Sequence, residues 1–151
     1  MTRAFVAIAV PEHVHRTLLA GQVGLTFGAL VPEENFHITL AFLGDQTDRM
    51  LEDVHDGLTR ISGPAPEITF NGLGTFGDAK PQALFAEVPL TDALRDLRKG
   101  VRTAARDAGI TLPHERYHPH ITLARFGKGL FGEDVGRLQE HLARRMGQVQ
   151  G

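Results

Sequence analysis

Cysteine and tryptophan are absent from this 151-residue chain, and tyrosine occurs once. Without cysteine there are no disulfides, no thiolate metal sites and no cysteine nucleophile, and the composition suits a reducing cytoplasm. Long apolar runs are missing too, for nothing approaches the ~18–20 residues that cross a bilayer. Charge of one sign is equally scarce: 16 Lys and Arg stand against 18 Asp and Glu, a net −2, so no global basic field draws in nucleic acid. Hydrophobic residues at 42% and charged residues at 23% exclude a disordered tail, a collagen-like chain and a coiled coil. The length fits one domain. Against these shortages stands a surplus of eight histidines.

Near the N-terminus Arg3 precedes the apolar run Ala4–Val10. At seven residues, with Pro11 and Glu12 immediately after, the run reads as a buried first strand rather than a secretory signal core. Apolar periodicity then predicts strands at Phe5–Val10, Phe36–Leu43, Glu67–Asn71, Leu84–Val88 and His120–Phe126. Helices are expected from Pro11 to Gln22, Asp48 to Ile61, Asp92 to Ala108 and Glu133 to Met146. Thr47 and Thr91 are placed to cap the second and third, and Gly109 ends the third. Ser62-Gly63-Pro64-Ala65-Pro66 is a breaker.

Two similar halves emerge, each running strand, helix, strand, helix, with matching elements offset by about 79 to 85 residues. The expected fold is therefore α/β in the broad α+β sense. It is one domain over 1–151, with interwoven lobes near 1–81 and 82–151 related by a pseudo-twofold. Largely antiparallel sheets are expected to line a central cleft, with helices outside.

Two motif matches fail on context. His114-Glu115-Arg116-Tyr117-His118 has the zinc-protease spacing, but two histidines four apart converge on one metal only on a helix. Pro113 and Pro119 flank it, and the residue before a proline avoids helical angles, so an extended loop is expected. Gly72-Leu73-Gly74-Thr75-Phe76-Gly77 matches a dinucleotide fingerprint, yet a turn sequence follows through Lys80-Pro81 where that site needs a helix to begin. The glycines then read as a bent strand or bulge.

The informative pattern is a repeat. His37-Ile38-Thr39-Leu40 and His120-Ile121-Thr122-Leu123 are the same tetrapeptide, each followed by alanine. On a strand, side chains two apart share a face, so His37 pairs with Thr39 and His120 with Thr122, while the Ile and Leu residues turn to the other side. One such tetrapeptide is ordinary strand sequence. Two at equivalent places are not, because duplication gives no packing reason to retain both imidazoles.

These residues resemble the 2H phosphoesterases, marked by two His-x-Thr/Ser motifs about 80 residues apart, and among them the RNA 2′,3′-cyclic phosphodiesterase and 2′-5′ RNA ligase group. The matching text includes Arg3–Ile8, Pro32–Gly44, Gly72–Phe76 and Tyr117–Arg125, nearly the whole chain. Leu30-Val31 departs from it, where many relatives carry a basic residue and an aromatic. The resemblance implies metal-free opening of a 2′,3′-cyclic phosphate to a 2′-phosphate, with no cofactor. With an ordinary pKa near ~6.5, either histidine can act as acid or base near neutrality. By analogy with the group, His37 protonates the 3′ oxygen and His120 activates water. Thr39 and Thr122 can donate to the non-bridging oxygens. If a 5′-hydroxyl replaces water, the same site makes a 2′-5′ linkage. The partners implied are RNA ends with a cyclic phosphate and nucleotides; no membrane is implied, and a monomer is the default.

The resemblance gives Arg125 a phosphate-side role, although strand alternation puts it opposite His120 unless a bulge intervenes. His118 is a candidate for the rim of the site, or for a contact behind it, if its strand extends back past Pro119. Tyr117 and Phe42 are candidates to stack on a nucleobase, with core packing the commoner use of such rings. His13, His15, His55 and His141 read as solvated surface residues, as do Arg95, Arg98, Lys99, Arg102 and Arg106 on the third helix. Two other readings stay open: a non-catalytic RNA- or nucleotide-binding module using the same cleft, and a metal-dependent hydrolase using His114, His118 and His120.

Overall fold

The computed structural model describes residues 1–77, 79–130, 132–145 and 149. In chain order its elements are β1 (Thr2–Ala9), α1 (His15–Gln22), β2 (Ala29–Leu30), β3 (His37–Gln46), α2 (Asp48–Leu58), β4 (Leu73–Phe76), β5 (Ala83–Glu87), α3 (Asp92–Asp107), β6 (His120–Arg125) and α4 (Glu133–Arg145). Short 3-10 turns at Glu12–Val14 and Glu33–Asn35 precede α1 and β3. Among the described residues the fold is α+β with antiparallel sheets and four α-helices. The expected end of the last helix, Met146, lies outside the described residues.

The chain divides into two compact units, and neither is a sequence half. One comprises 1–8, 39–67 and 90–119; the other comprises 9–38, 68–89 and 120–151. The first holds the β1–β3 ladder, α2 and α3. Thr47 and Thr91 cap these two helices, their hydroxyls accepting from the Met50 and Leu94 amides at 3.2 Å. Such a cap contributes about 1 kcal/mol. Gly57 lets α2 and α3 close together, since a Cβ there would stand 2.9 Å from that of Ala104.

The second unit is built on a four-stranded sheet in the order β2-β6-β5-β4. Leu84, Ile121 and Leu123 are fully buried on it, and Leu18 of α1 and Leu138 of α4 complete the same core. The strand expected at Glu67–Asn71 does not form. Pro64 and Pro66 withhold donors before it, and Gly72, at φ 81°, redirects the chain so that Leu73–Phe76 take the partners on β5. The glycine-rich stretch is thus strand followed by turn, and among the described residues no helix starts there; Asp78 lies outside the described residues.

Candidate active site

The two His-Ile-Thr-Leu-Ala segments fold alike. In β3 and β6 alike the histidine and threonine are half-buried, the three apolar residues are buried, and the sixth residue, Phe42 or Arg125, is exposed. His37, His120, Thr122 and Arg125 all belong to the second unit, whereas Thr39, Phe42, Tyr117 and His118 belong to the first.

A bulge decides where Arg125 points. On β5, Glu87 pairs with His120, Ala86 with Ile121 and Phe85 with Thr122, but Leu84 pairs with Ala124 and Ala83 with Arg125. Leu123 is therefore an extra residue, and the alternation of β6 shifts by one after it. Directly paired residues share a face, and Glu87, Phe85 and Ala83 alternate on one face of β5. His120, Thr122 and Arg125 consequently lie together on that face. Gln22 of α1 supports the bulge from within the core: its amide donates to the carbonyls of Leu123 and Val31, both at 2.9 Å. The Val31 amide also donates to Leu123.

The His120 imidazole packs against a pair of aromatic rings. Phe76 meets it edge-on at 4.8 Å and Phe85 at 5.3 Å, and the two phenyl rings lie 4.3 Å apart. Gly74 makes room for this cluster, because a Cβ there would come 2.7 Å from the Phe85 ring. The glycine pattern that resembled a nucleotide fingerprint instead serves the histidine through packing.

His37 is oriented by its own chain. Its Nδ1 lies 2.7 Å from the Asn35 carbonyl. A carbonyl only accepts, so Nδ1 carries the hydrogen, and Nε2 is the nitrogen at which a proton can be gained or lost.

In the first unit, the Tyr117 hydroxyl donates to the Thr39 carbonyl at 2.8 Å, and the Arg98 guanidinium stacks over its ring at 4.2 Å. Burial pushes the Tyr117 phenol up to about 12, against the opposing pull of the Arg98 cation. Burial, and then the nearby charge of Arg102, lower the pKa of Arg98. Tyr117 thus braces the Thr39 backbone. Phe42 is instead 67% exposed and packs at 6.2 Å on Phe5, itself half-exposed, so core packing does not account for it. β6 begins at His120, so no ladder carries back to His118, which is exposed in a segment without regular secondary structure. That segment also holds His114 without a helix, so the zinc-protease spacing lacks its geometry. Among the described residues no group of three His, Asp or Glu side chains is placed to hold a metal ion.

A family model for the 2′-5′ RNA ligase superfamily matches residues 11–147. The chain belongs to that superfamily. An RNA 2′,3′-cyclic phosphodiesterase of Geobacillus stearothermophilus is 33% identical over 138 residues, which cover 85% of this chain and 44% of the relative. One of Bacillus subtilis is 31% identical over 127 residues, covering 80% of this chain and 69% of its own. The chain therefore spans less than half of the first relative and about two thirds of the second. Escherichia coli LigT, crystallised with 3′-AMP, aligns at a TM-score of 0.70 and 25% identity over 82% of this chain and 72% of its own.

Four side chains expected from the sequence to be solvated are instead tied to the fold. His141 is 2% exposed and donates to the Gly21 carbonyl at 2.6 Å. His15 has hydrogen-bond partners for both ring nitrogens. Arg98 lies on Tyr117 with its Nε buried and making no hydrogen bond among the described residues. Arg102 likewise binds the loop, donating to the Pro113 carbonyl at 2.7 Å. Each sits on an exposed-looking helical stretch, and only long-range pairing reveals its partner. His13 and His55 are exposed as expected.

Proposed function

We propose that this chain is an RNA 2′,3′-cyclic phosphodiesterase that opens a terminal cyclic phosphate to a 2′-phosphate by metal-independent acid–base catalysis. The observation that carries this is the repeated His-x-Thr segment, folded twice with the same burial, in a superfamily whose curated relatives bear that activity in their names. Water attacks phosphorus as His120 accepts its proton, and the bond from phosphorus to the 3′ oxygen breaks as His37 donates a proton to that oxygen. The Asn35 carbonyl suits His37 to this role, since it fixes Nδ1–H and presents Nε2 for transfer. Thr39, Thr122 and Arg125 bind the non-bridging oxygens, where charge grows as the fifth bond to phosphorus forms. A 5′-hydroxyl attacking in place of water, its proton passing to His120 and the 3′ oxygen leaving with the proton from His37, yields a 2′-5′ linkage.

The ligand is an RNA end rather than a long strand, consistent with the net charge of −2. Phe42, exposed beside Phe5, is the base-stacking surface. No helix among the described residues is long and apolar enough to cross a membrane, and we place the reaction in the cytoplasm, on a monomer. The test is an oligoribonucleotide ending in a 2′,3′-cyclic phosphate, incubated with and without EDTA. Opening to a 2′-phosphate should survive chelation and fall by at least ~10²-fold in His37→Ala and in His120→Ala. Retained binding without turnover in the unaltered protein would instead make it a binding module, and loss with EDTA would make it a metal-dependent hydrolase.

A further inference from the structure

His37 is held by the Asn35 carbonyl, and Asn35 ends the 3-10 turn Glu33–Asn35. That turn is closed by Asn35 and Phe36 amides donating to Pro32 and Glu33 carbonyls at 2.9 and 3.1 Å. Two hydrogen bonds of so short a turn do little to fix its direction, so the aim of His37 depends on what anchors the turn from outside.

His15 supplies that anchor. Its Nδ1 lies 3.0 Å from the Glu33 carboxylate and its Nε2 3.0 Å from the Val10 carbonyl. Its ring stands edge-on to Phe36 at 5.7 Å. The Val10 amide in turn approaches the Phe36 carbonyl at 3.4 Å. A circuit closes from Val10 through His15 and Glu33 to the turn and back through Phe36. Both partners of the imidazole are acceptors, so the ring bridges a backbone carbonyl and a carboxylate through its two nitrogens. The His15 side chain is 15% exposed and that of Glu33 46%, which shields this pair more than an ordinary surface ion pair.

We infer that His15 and Glu33 are positioning residues for His37: together they lock the turn whose Asn35 carbonyl sets the His37 tautomer and aims its Nε2. For turnover, this rests on the proposed function; for the tautomer, it does not. The test therefore reads both. Long-range proton–nitrogen spectra of the imidazoles report the His37 tautomer directly, and steady-state opening of a cyclic-phosphate RNA end reports its use.

The unaltered protein should show His37 with its hydrogen on Nδ1. In His15→Ala and in Glu33→Ala, that signal should move toward a mixture of tautomers, and kcat should fall about tenfold with KM held within about twofold. Their double variant should be no worse than either. His15→Arg, whose guanidinium can donate in both directions, should restore the tautomer and most of kcat. Glu33 is nearly half-exposed, so its removal leaves the core intact and covers the case in which His15→Ala fails to fold. An unmoved His37 signal in both alanine variants would overturn the inference, as would a moved signal with unchanged kcat. If the signal moves as described but the unaltered protein opens no cyclic phosphate, the positioning stands and the proposed function fails.

Discussion

Tyr117 is the sole tyrosine in a chain without tryptophan, so its ionisation can be followed alone in the near-ultraviolet. Its phenol is half-buried, donates to Thr39 and titrates near 12. Its ordinary value is ~10. The folded state therefore prefers the neutral form. The stabilisation is complete below about 10, where both states are protonated, and is lost as pH climbs from about 10 toward 12, where only the unfolded phenol ionises. The phenolate absorbance of the folded protein should accordingly rise with a midpoint well above that of the urea-unfolded chain. Tyr117→Phe keeps the ring beneath Arg98 and should remove the stability loss in that window. Coincident midpoints for folded and unfolded protein would show that the hydroxyl is not buried against Thr39.

At the scale of elements, one inserted residue has the largest consequence. Without Leu123 as a bulge, regular alternation would set Arg125 on the face opposite His120 and Thr122; with it, all three align. Gln22 reaches from α1 to accommodate the irregularity, and it is one of only two buried polar side chains among the described residues. Gln22→Met keeps the volume and withdraws both donated bonds, leaving the Val31 carbonyl without its side-chain donor. Urea unfolding should register a loss of about 1–3 kcal/mol. In turnover the expected change is a raised KM for the cyclic phosphate, because Arg125 loses its fixed placement. Unaltered stability and KM would mean that the sheet itself imposes the bulge.

For the whole molecule, the sequence made the strand and helix order legible because buried residues recur at helical and strand periods, and Thr47 and Thr91 announce their helices by capping. The His-Ile-Thr-Leu repeat was legible because it is local. Three things were not. The two-residue strand Ala29–Leu30 is too short to show a period. Which three segments build each compact unit depends on long-range packing. The burial of His15, Arg98 and His141 depends on partners up to 120 residues away. The Leu123 bulge stands between these cases: the role implied for Arg125 demanded one, but only the register of β5 against β6 locates it.

In the proposed reaction two imidazoles, and no metal, move the protons. The decisive quantity is kcat/KM for opening a 2′,3′-cyclic phosphate RNA end, measured across pH in the presence of a chelator. One base and one acid must be correctly protonated together, so the unaltered protein should give a bell-shaped profile. His37→Ala and His120→Ala should each collapse it, and the sole phosphorylated product should be the 2′-phosphate. A rate that persists when both histidines are replaced, or one that rises monotonically with pH only when divalent metal is returned, would rule out two-histidine catalysis.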